Sequence, residues 1–404
     1  MYIAGVALMI GASFALYLLM PAEHRTRNLL VAYFVFVCLH HAVSVLNVVW
    51  AGLPGADLDA HYFHLSAARA LEQGTVPPVS VGTGFYEWIL YGLYWLFGSE
   101  KLLAQSLSVL LSGLACVIVV HIARQLGAGI SAPWVVVLFT ITPSVLFFTS
   151  LTFREVFQMV GLAGSCLFLF RAIESRQPLW FIPMLAALLF MGLFHHVLLA
   201  MGIFLFAVGL SIYIVVNSGS PFTAVSSTVS ATLVVTAIGA VVVWQIPASS
   251  GNNYVEMLQH SGGIREMIQT YRGAVDSANP RSSYGFTVQT FDAASITVGL
   301  ARSYVSYLTG PWVGEVDRLV DVVPFVNSVM RMLAVICVIF LILRGGMNLQ
   351  HWYLLFVFVV VTLMWSIGTT NFGQAFRHNT TTDWILPLWL SVIVSSINGR
   401  RKKV

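Results

Sequence analysis

The sequence predicts an all-α, polytopic helical membrane protein. The chain has 404 residues, of which 58% are hydrophobic and only 9% charged, and its mean hydropathy is +0.85. Repeated apolar runs of about 18 or more residues are typical of helices that cross a hydrocarbon core of about 30 Å. We therefore predict about eleven transmembrane spans. They cover 2–20, 29–50, 102–123, 133–150, 155–172, 179–196, 197–216, 223–246, 327–343, 351–368 and 383–398.

Two of these runs need interpretation. The first lacks the basic start and the small-residue cleavage site of a signal peptide, so we read it as a retained span. The run 179–216 is continuous and apolar except for His195-His196, which predicts two short crossings with the histidines at the bend. The four cysteines lie inside apolar runs without metal-ligand spacing, so we expect them to be small core residues.

The loop charges predict the orientation. Lys and Arg collect in short loops on one side, which the positive-inside rule makes cytoplasmic. Fourteen of the sixteen Asp and Glu residues then fall on the outer side, and we expect the functional surface there. The cytoplasmic basic residues are Arg25, Arg27, Arg124, Arg171, Arg176, Arg344 and the final run Arg400-Arg401-Lys402-Lys403.

An acidic stretch follows the second apolar run. It places Asp57, Asp59, His61 and His64 within eight residues of a chain that has few charges. From Asp59 onward the apolar residues recur at three- and four-residue steps, which predicts a helix that starts there. Capping a helix N-terminus explains one of the two aspartates, but it leaves the second carboxylate and two imidazoles unexplained.

The outer surface is predicted to have four polar segments. A Trp- and Tyr-rich piece at 84–98 is too short to span, so it should lie at the interface or be re-entrant. An amphipathic helix is predicted at 293–308. We treat 1–404 as one membrane domain whose loops 51–101 and 247–326 form a catalytic cap. The four segments are loop 51–101, the turn at Arg154-Glu155, loop 247–326 with Arg281 and Tyr284, and segment 368–378 with Arg377-His378.

The order of these pieces resembles the C-type (GT-C) polytopic membrane glycosyltransferases. An acidic outer loop is followed by a Tyr/Trp segment that ends in Leu-Phe-Gly, a span that ends in Ile-Ala-Arg-Gln-Leu-Gly, and the Arg154-Glu155 turn. Residues 50–175 are similar to protein O-mannosyltransferases and bacterial lipid A aminoarabinose transferases. The Arg-Ser-Ser-Tyr-Gly piece and the segment from Asn371 to His378 resemble bacterial polysaccharide-biosynthesis members of that group.

The resemblance implies an activity and a location. A polyprenyl-phosphate-linked sugar would be the donor, an acceptor hydroxyl on a glycan, lipid or protein would attack it, and no nucleic acid would be involved. The protein would lie in a bacterial cytoplasmic (inner) membrane with its active site facing the periplasm. Such transfer needs a carboxylate to accept the hydroxyl proton, cations to stabilise the leaving phosphate, and an apolar groove for the prenyl tail.

For the general base we consider Asp57 and Asp59. Residues two apart do not share a helix face, so we expect one of them in the cavity and prefer Asp59, which begins the helical pattern. An Asp-x-Asp pair also holds a divalent metal in nucleotide-sugar enzymes. Those enzymes keep their donor in the cytoplasm, so we predict neither a metal nor another cofactor here.

For the donor phosphate and the substrates we consider the remaining polar residues of the outer segments. Each has a simpler explanation: an arginine at a membrane border can be an interfacial anchor, Arg154 and Glu155 can pair or cap a helix, and buried histidines can be core residues. The candidates are Arg154, Arg377 and His378 for phosphate, and Glu155, His195, His196, His61, His64, Arg281 and Tyr284 for other substrate contacts.

Two other functions remain open. An O-antigen-type polymerase or ligase also acts on undecaprenyl-diphosphate glycans, but relies on outer-loop arginine and histidine, so it should tolerate Asn at position 59. A transporter of lipid-linked sugar would favour charged residues in mid-span and inverted repeats. The sequence shows no repeat and places its charges on the outer face, so we rank the transporter last.

Overall fold

The structure of the protein is a computed structural model, which describes residues 1–50, 53, 59–127, 131–218, 283–284 and 293–391. These residues form helices, and their β-pairing is limited to one isolated bridge between Ser283 and Asn371. The helices are α1 (Tyr2–Ala15), α2 (Arg27–Val49), α3 (Asp59–Glu72), α4 (Thr83–Phe97), α5 (Lys101–Gln125), α6 (Ala132–Ile141), α7 (Pro143–Phe148), α8 (Glu155–Ser175), α9 (Phe181–Leu193), α10 (His196–Asn217), α11 (Ala293–Thr309), α12 (Val322–Leu343), α13 (Leu349–Gly368) and α14 (Phe372–Asp383).

The all-α membrane class is confirmed, whereas the predicted number of spans is not. In the described part of the chain seven helical segments are long and apolar enough to cross a membrane, against the eleven expected. Each of the seven coincides with a predicted span. They are Tyr2–Leu19, Arg27–Val49, Lys101–Gln125, Glu155–Ser175, His196–Asn217, Leu319–Leu343 and Leu349–Gly368.

The four remaining predicted spans differ for separate reasons. The run 133–150 breaks at Thr142, because the residue before Pro143 is driven out of the helical region, and it gives two helices of ten and six residues. The run 179–196 forms only a short apolar helix, Pro178–Leu193. The predicted span 223–246 lies outside the described residues, and 383–398 is described only as far as residue 391.

Helix α8 lies at the centre of the bundle. It packs against α5, α9 and α14, and most of its length is buried. Small residues allow the closest approach: a β-carbon on Gly161 would lie 2.7 Å from the carbonyl oxygen of Ala187 on α9. Close helix contact through small residues is the usual way that membrane helices associate. The polar start of α8 is therefore held in a fixed position.

The bundle has two polar ends. At one end, Glu23 pairs with Arg124 at 2.7 Å and the amide of Asn348 donates to the carbonyl of Leu126 at 3.1 Å. At the other end, where α8, α10 and α14 begin, the hydroxyl of Ser44 donates to the carbonyl of Ser150 at 2.7 Å. We call the second end the site end, because it holds the residues described below.

We expected a loop between the predicted spans 351–368 and 383–398, and the structure has a helix there instead. This helix is α14, which begins after Asn371, whose side chain accepts a hydrogen bond from the backbone N–H of Gln374 at 2.8 Å. The helix is polar, yet six consecutive residues from His378 to Asp383 are buried. A buried polar helix requires polar partners on its neighbours, and these partners form the candidate site and a second network beneath it.

Candidate functional site

Three charged residues from distant parts of the chain meet at the site end. Arg377 of α14 contacts the carboxylate of Asp59 at the start of α3 through Nη1, and its Nε lies 3.1 Å from the Glu155 carboxylate at the start of α8. The side chain of Glu155 is 1% exposed, that of Arg377 18% and that of Asp59 51%. One arginine thus joins a buried carboxylate to an accessible one.

Aromatic packing holds this arginine in place. The guanidinium of Arg377 lies 5.8 Å from the ring centroid of Phe153, within the range of a cation–π contact. Phe148 packs edge-on against both Phe153 and Phe376, the residue before Arg377. Among the described residues, Oε2 of the buried Glu155 carboxylate has no hydrogen-bond donor. The cluster therefore retains a buried acceptor beside its arginine.

Arg154 and His196 lie together beside the loop that leads into α4. A β-carbon on Gly82 would be 3.6 Å from Cε1 of His196 and 4.0 Å from Nη1 of Arg154. Gly82 has φ +100°, a conformation that favours glycine, and its backbone N–H donates to the carbonyl of Leu193 at 2.8 Å. This loop is thereby fixed to the bend between α9 and α10, where His196 begins α10 as the sequence suggested.

Two histidines, one buried and one partly buried, pack against a tryptophan next to this cluster. The ring of Trp365 stacks on His378 with centroids 3.9 Å apart, and the ring of His195 meets Trp365 edge-on at 4.9 Å. Burial lowers the pKa of both histidines well below its usual value, and the positive charges of Arg154 and Arg377 lower the pKa further. Both imidazoles are consequently neutral at pH 7, where they can donate or accept hydrogen bonds.

Other predicted site residues lie elsewhere. His64 contacts the hydroxyl of Tyr94 through Nδ1 at 2.8 Å. On the same helix, α4, Tyr86 lies close enough to Glu155 and Arg154 for an electrostatic interaction, and Tyr94 is eight residues, or about 12 Å, further along the helix. His61 is exposed on α3, two residues from Asp59 and so on a different face of the helix. The structure does not bring either histidine to Arg377.

Tyr284 lies next to the start of α14. Its backbone N–H donates to the carbonyl of Thr370 at 3.0 Å, and its buried ring packs on Phe372 with centroids 5.0 Å apart. These contacts support α14 rather than the charged cluster. Asp57 and Arg281 lie outside the described residues, so their roles stay predictions.

The sequence analysis missed a second polar network, which lies deeper in the bundle than the cluster around Arg377. Asp383, counted there among the outer acids, is fully buried at the end of α14, and Arg331 lies buried within the span of α12. The Nε of Arg331 lies 3.2 Å from Asp383, and Asn327 and Ser144 donate to the same carboxylate at 2.9 and 2.6 Å. The expectation that charges stay on the outer face is therefore wrong for this pair.

One sequence signal could have revealed this network. Arg331 is the only charged residue of the predicted span 327–343, and a charge in mid-span demands a partner. Asn327 precedes it by four residues and so shares its helix face. The sequence did not show which distant residue would pair with Arg331, because Asp383 is 52 positions further on.

An apolar groove lies away from the charged cluster. Its volume is about 670 Å³, and it lies between α2 and α6, from Arg27 to Leu39 on one side and from Pro133 to Ile141 on the other. Arg27 begins α2, the end opposite to the site end. The groove is therefore not the immediate surroundings of Arg377.

The chemistry available at the site end is acid–base and anion binding. It offers an accessible carboxylate, two arginines and neutral imidazoles within one cluster. The described residues contain no group of three His, Cys, Asp or Glu side chains placed to hold a metal ion, and metal independence remains a prediction. No family model matches the chain, and no curated protein matches it either.

Proposed function

We propose that the protein is a membrane glycosyltransferase of the C type. It would transfer a sugar from a polyprenyl-phosphate-linked donor to an acceptor hydroxyl on the periplasmic or outer face of a bacterial cytoplasmic membrane, in the synthesis of a cell-surface polysaccharide or glycoconjugate. The observation that carries the proposal is the contact of one arginine, Arg377, with both Asp59 and Glu155 at the site end. A proton acceptor and a phosphate-binding cation are thereby adjacent.

The proposed reaction is a displacement at the anomeric carbon. The acceptor oxygen forms a bond to that carbon while the bond from the carbon to the phosphate oxygen breaks, and the bonding electrons leave with the phosphate. Asp59 takes the hydroxyl proton as general base. Arg377 and Arg154 stabilise the negative charge that grows on the leaving phosphate, because guanidinium groups bind phosphate through two parallel hydrogen bonds.

Burial distinguishes the two carboxylates. Asp59 is about half exposed and stands at the start of α3, where an acceptor can reach it, whereas Glu155 is almost completely buried. A buried carboxylate against an arginine is suited to holding that arginine in one orientation. We therefore assign the base to Asp59 and the orientation of Arg377 to Glu155.

The charge distribution supports the proposed orientation. Arg25 and Arg124 lie at the end opposite to the site end, and Arg344 follows α12 at that end as well. Basic residues at one end of a bundle are typical of its cytoplasmic side. The site end would then face the periplasm, where lipid-linked sugar donors are used by the family that the sequence resembles.

A transporter of lipid-linked sugar, which we ranked last from the sequence, gains support from one observation. It is favoured by the buried pair of Arg331 and Asp383, because charges within a span often mark a transport path. A flipping assay in vesicles distinguishes the two functions. A transporter would move a fluorescent lipid-linked sugar between leaflets without forming any new glycosidic bond.

The test is transfer from a synthetic polyprenyl-linked sugar by the purified protein. Asp59→Asn retains an oxygen that can accept from Arg377 but cannot take a proton, so turnover should fall about 10²- to 10⁴-fold while donor binding persists. Glu72→Gln, an exposed carboxylate at the other end of α3, is the matched control and should leave turnover unchanged. Full activity in both Asp59→Asn and Asp57→Asn would overturn the carboxylate mechanism and favour the polymerase or ligase.

A further inference from the structure

Helix α14 presents one polar face to α8. Arg377 and Thr381 are one turn apart on this face, and they meet Glu155 and Gln158, which are one turn apart on α8. Arg377 pairs with Glu155 at 3.1 Å, and the hydroxyl of Thr381 donates to the Gln158 side chain at 3.2 Å. We call these two contacts the first ladder. The contact of Arg377 with Glu155 belongs to the candidate site, and the contact of Thr381 with Gln158 lies one turn further into the bundle.

A second polar face of α14 meets α12. Asn379 and Asp383 are one turn apart on α14, and Asn327 and Arg331 are one turn apart on α12. Arg331 donates to the side chain of Asn379 and lies 3.2 Å from Asp383, and Asn327 donates to Asp383 at 2.9 Å. No hydrogen bond or ion pair joins any of these four residues to Asp59 or Glu155. We call these contacts between α12 and α14 the second ladder. They hold α14 from a side that does not take part in the site.

The second ladder lies deep within the bundle. Arg331 and Asp383 are 1% and 0% exposed. Arg331 is nine residues after Val322 and twelve before Leu343, so it lies about 14 Å from one end of α12 and about 18 Å from the other. A buried ion pair contributes little net stability compared with a well-packed apolar pair, because both charges lose their hydration. The directional contacts of the pair instead favour one position of α14 relative to α12.

We propose that Arg331 and Asp383 are positioning residues that fix the depth and rotation of α14 and so hold Arg377 against Glu155 and Asp59. A slip of one residue would turn α14 by about 100° and shift it by about 1.5 Å, which would remove Arg377 from both carboxylates. The hydroxyl of Ser144, which donates to Asp383 at 2.6 Å, adds a third direction of restraint. The effect on turnover rests on the proposed function, whereas the effect on helix position does not.

The first experiment compares single and paired apolar substitutions. Arg331→Met or Asp383→Leu alone leaves one buried charge and should lower the folded yield and the melting temperature. The double variant removes both charges, so its melting temperature should return close to that of the wild type. Turnover of the double variant should stay at least about tenfold low, because α14 is no longer held in one position. Recovery of turnover and KM together with stability would overturn the positioning role.

The second experiment measures the helix position without any reaction. Cysteines at positions 158 and 381 replace Gln158 and Thr381, whose side chains meet across α8 and α14, and the oxidative cross-linking rate is followed. The rate should fall at least about fivefold when Arg331→Met and Asp383→Leu are added. Ser165→Ala, a buried change within α8 whose hydroxyl bonds only its own helix, is the control and should leave the rate unchanged.

The two experiments separate the two proposals. A slower cross-link in the paired variant, with no sugar transfer by the wild type, would support the positioning of α14 and contradict the transferase. An unchanged cross-linking rate in the paired variant would overturn the positioning proposal whatever the wild-type protein catalyses. Loss of turnover with a slower cross-link supports both.

Discussion

The two ion pairs of Arg377 should differ greatly in their effect on stability. Arg377→Met leaves the Glu155 carboxylate buried without its partner, and breaking a buried pair from one side typically costs about 3–5 kcal/mol of unfolding free energy. The pair with Asp59, which is half exposed, should contribute only about 0–1 kcal/mol because water screens it. Nearly all of the loss in Arg377→Met should therefore come through Glu155.

Two double-mutant cycles measure this asymmetry. One combines Arg377→Met with Glu155→Gln, and the other combines Arg377→Met with Asp59→Asn, each followed by reversible unfolding of the purified protein in micelles. We expect a coupling free energy of at least about 2 kcal/mol in the first cycle, since the neutral amide no longer needs the arginine. The second cycle should give less than about 1 kcal/mol.

The result also determines how the activity of Asp59→Asn is interpreted. If its unfolding free energy changes little, a loss of turnover reflects lost chemistry and not lost structure. Equal couplings in the two cycles, or a coupling with Glu155 below about 0.5 kcal/mol, would refute the assignment of Glu155 as the residue that orients Arg377. The carboxylates would then have to be treated as equivalent.

Two further predictions concern pH and orientation. Because folding lowers the pKa of His378, the unfolded chain binds more protons below about pH 6.5, and stability should fall as the pH drops through that range. His378→Phe should reduce this acid loss in unfolding measured at pH 5 and 7.5, and an undiminished loss in that variant would contradict the assignment. In a variant without Cys38, an impermeant maleimide applied to intact cells should label Gln73→Cys but not Gln177→Cys, and the reverse pattern would invert the proposed orientation.

Local signals in the sequence predicted several elements well. The apolar spacing after Asp59 placed the start of α3 at the residue where the helix begins, and the amphipathic pattern at 293–308 matches α11 within a residue. The histidine pair at 195–196 marks the bend between α9 and α10. Each of these features depends on neighbouring residues only, so a single sequence suffices to locate them.

The buried polar contacts of α14 depend on residues that are distant in the sequence, so they could not be located in the same way. The polar run from His378 to Asp383 looks like a solvated loop when it is read alone. It can be a buried helix only because Arg331 and Gln158, on separate spans, satisfy its polar side chains. The convergence of Arg377 with Glu155 has the same cause: their contact joins segments more than 200 residues apart, and no local pattern encodes it.

Sharing one arginine between two carboxylates has a consequence for the proposed reaction. A donor phosphate that binds Arg377 must compete with the contacts that the arginine already makes, and the exposed contact with Asp59 is the weaker one. Donor binding would therefore draw Arg377 away from Asp59 while Glu155 keeps the arginine in place. Asp59 would then lose its contact with Arg377, and its carboxylate would become accessible to the acceptor hydroxyl only after the donor has arrived. Such coupling would restrict activation of the acceptor to complexes in which the phosphate is already bound.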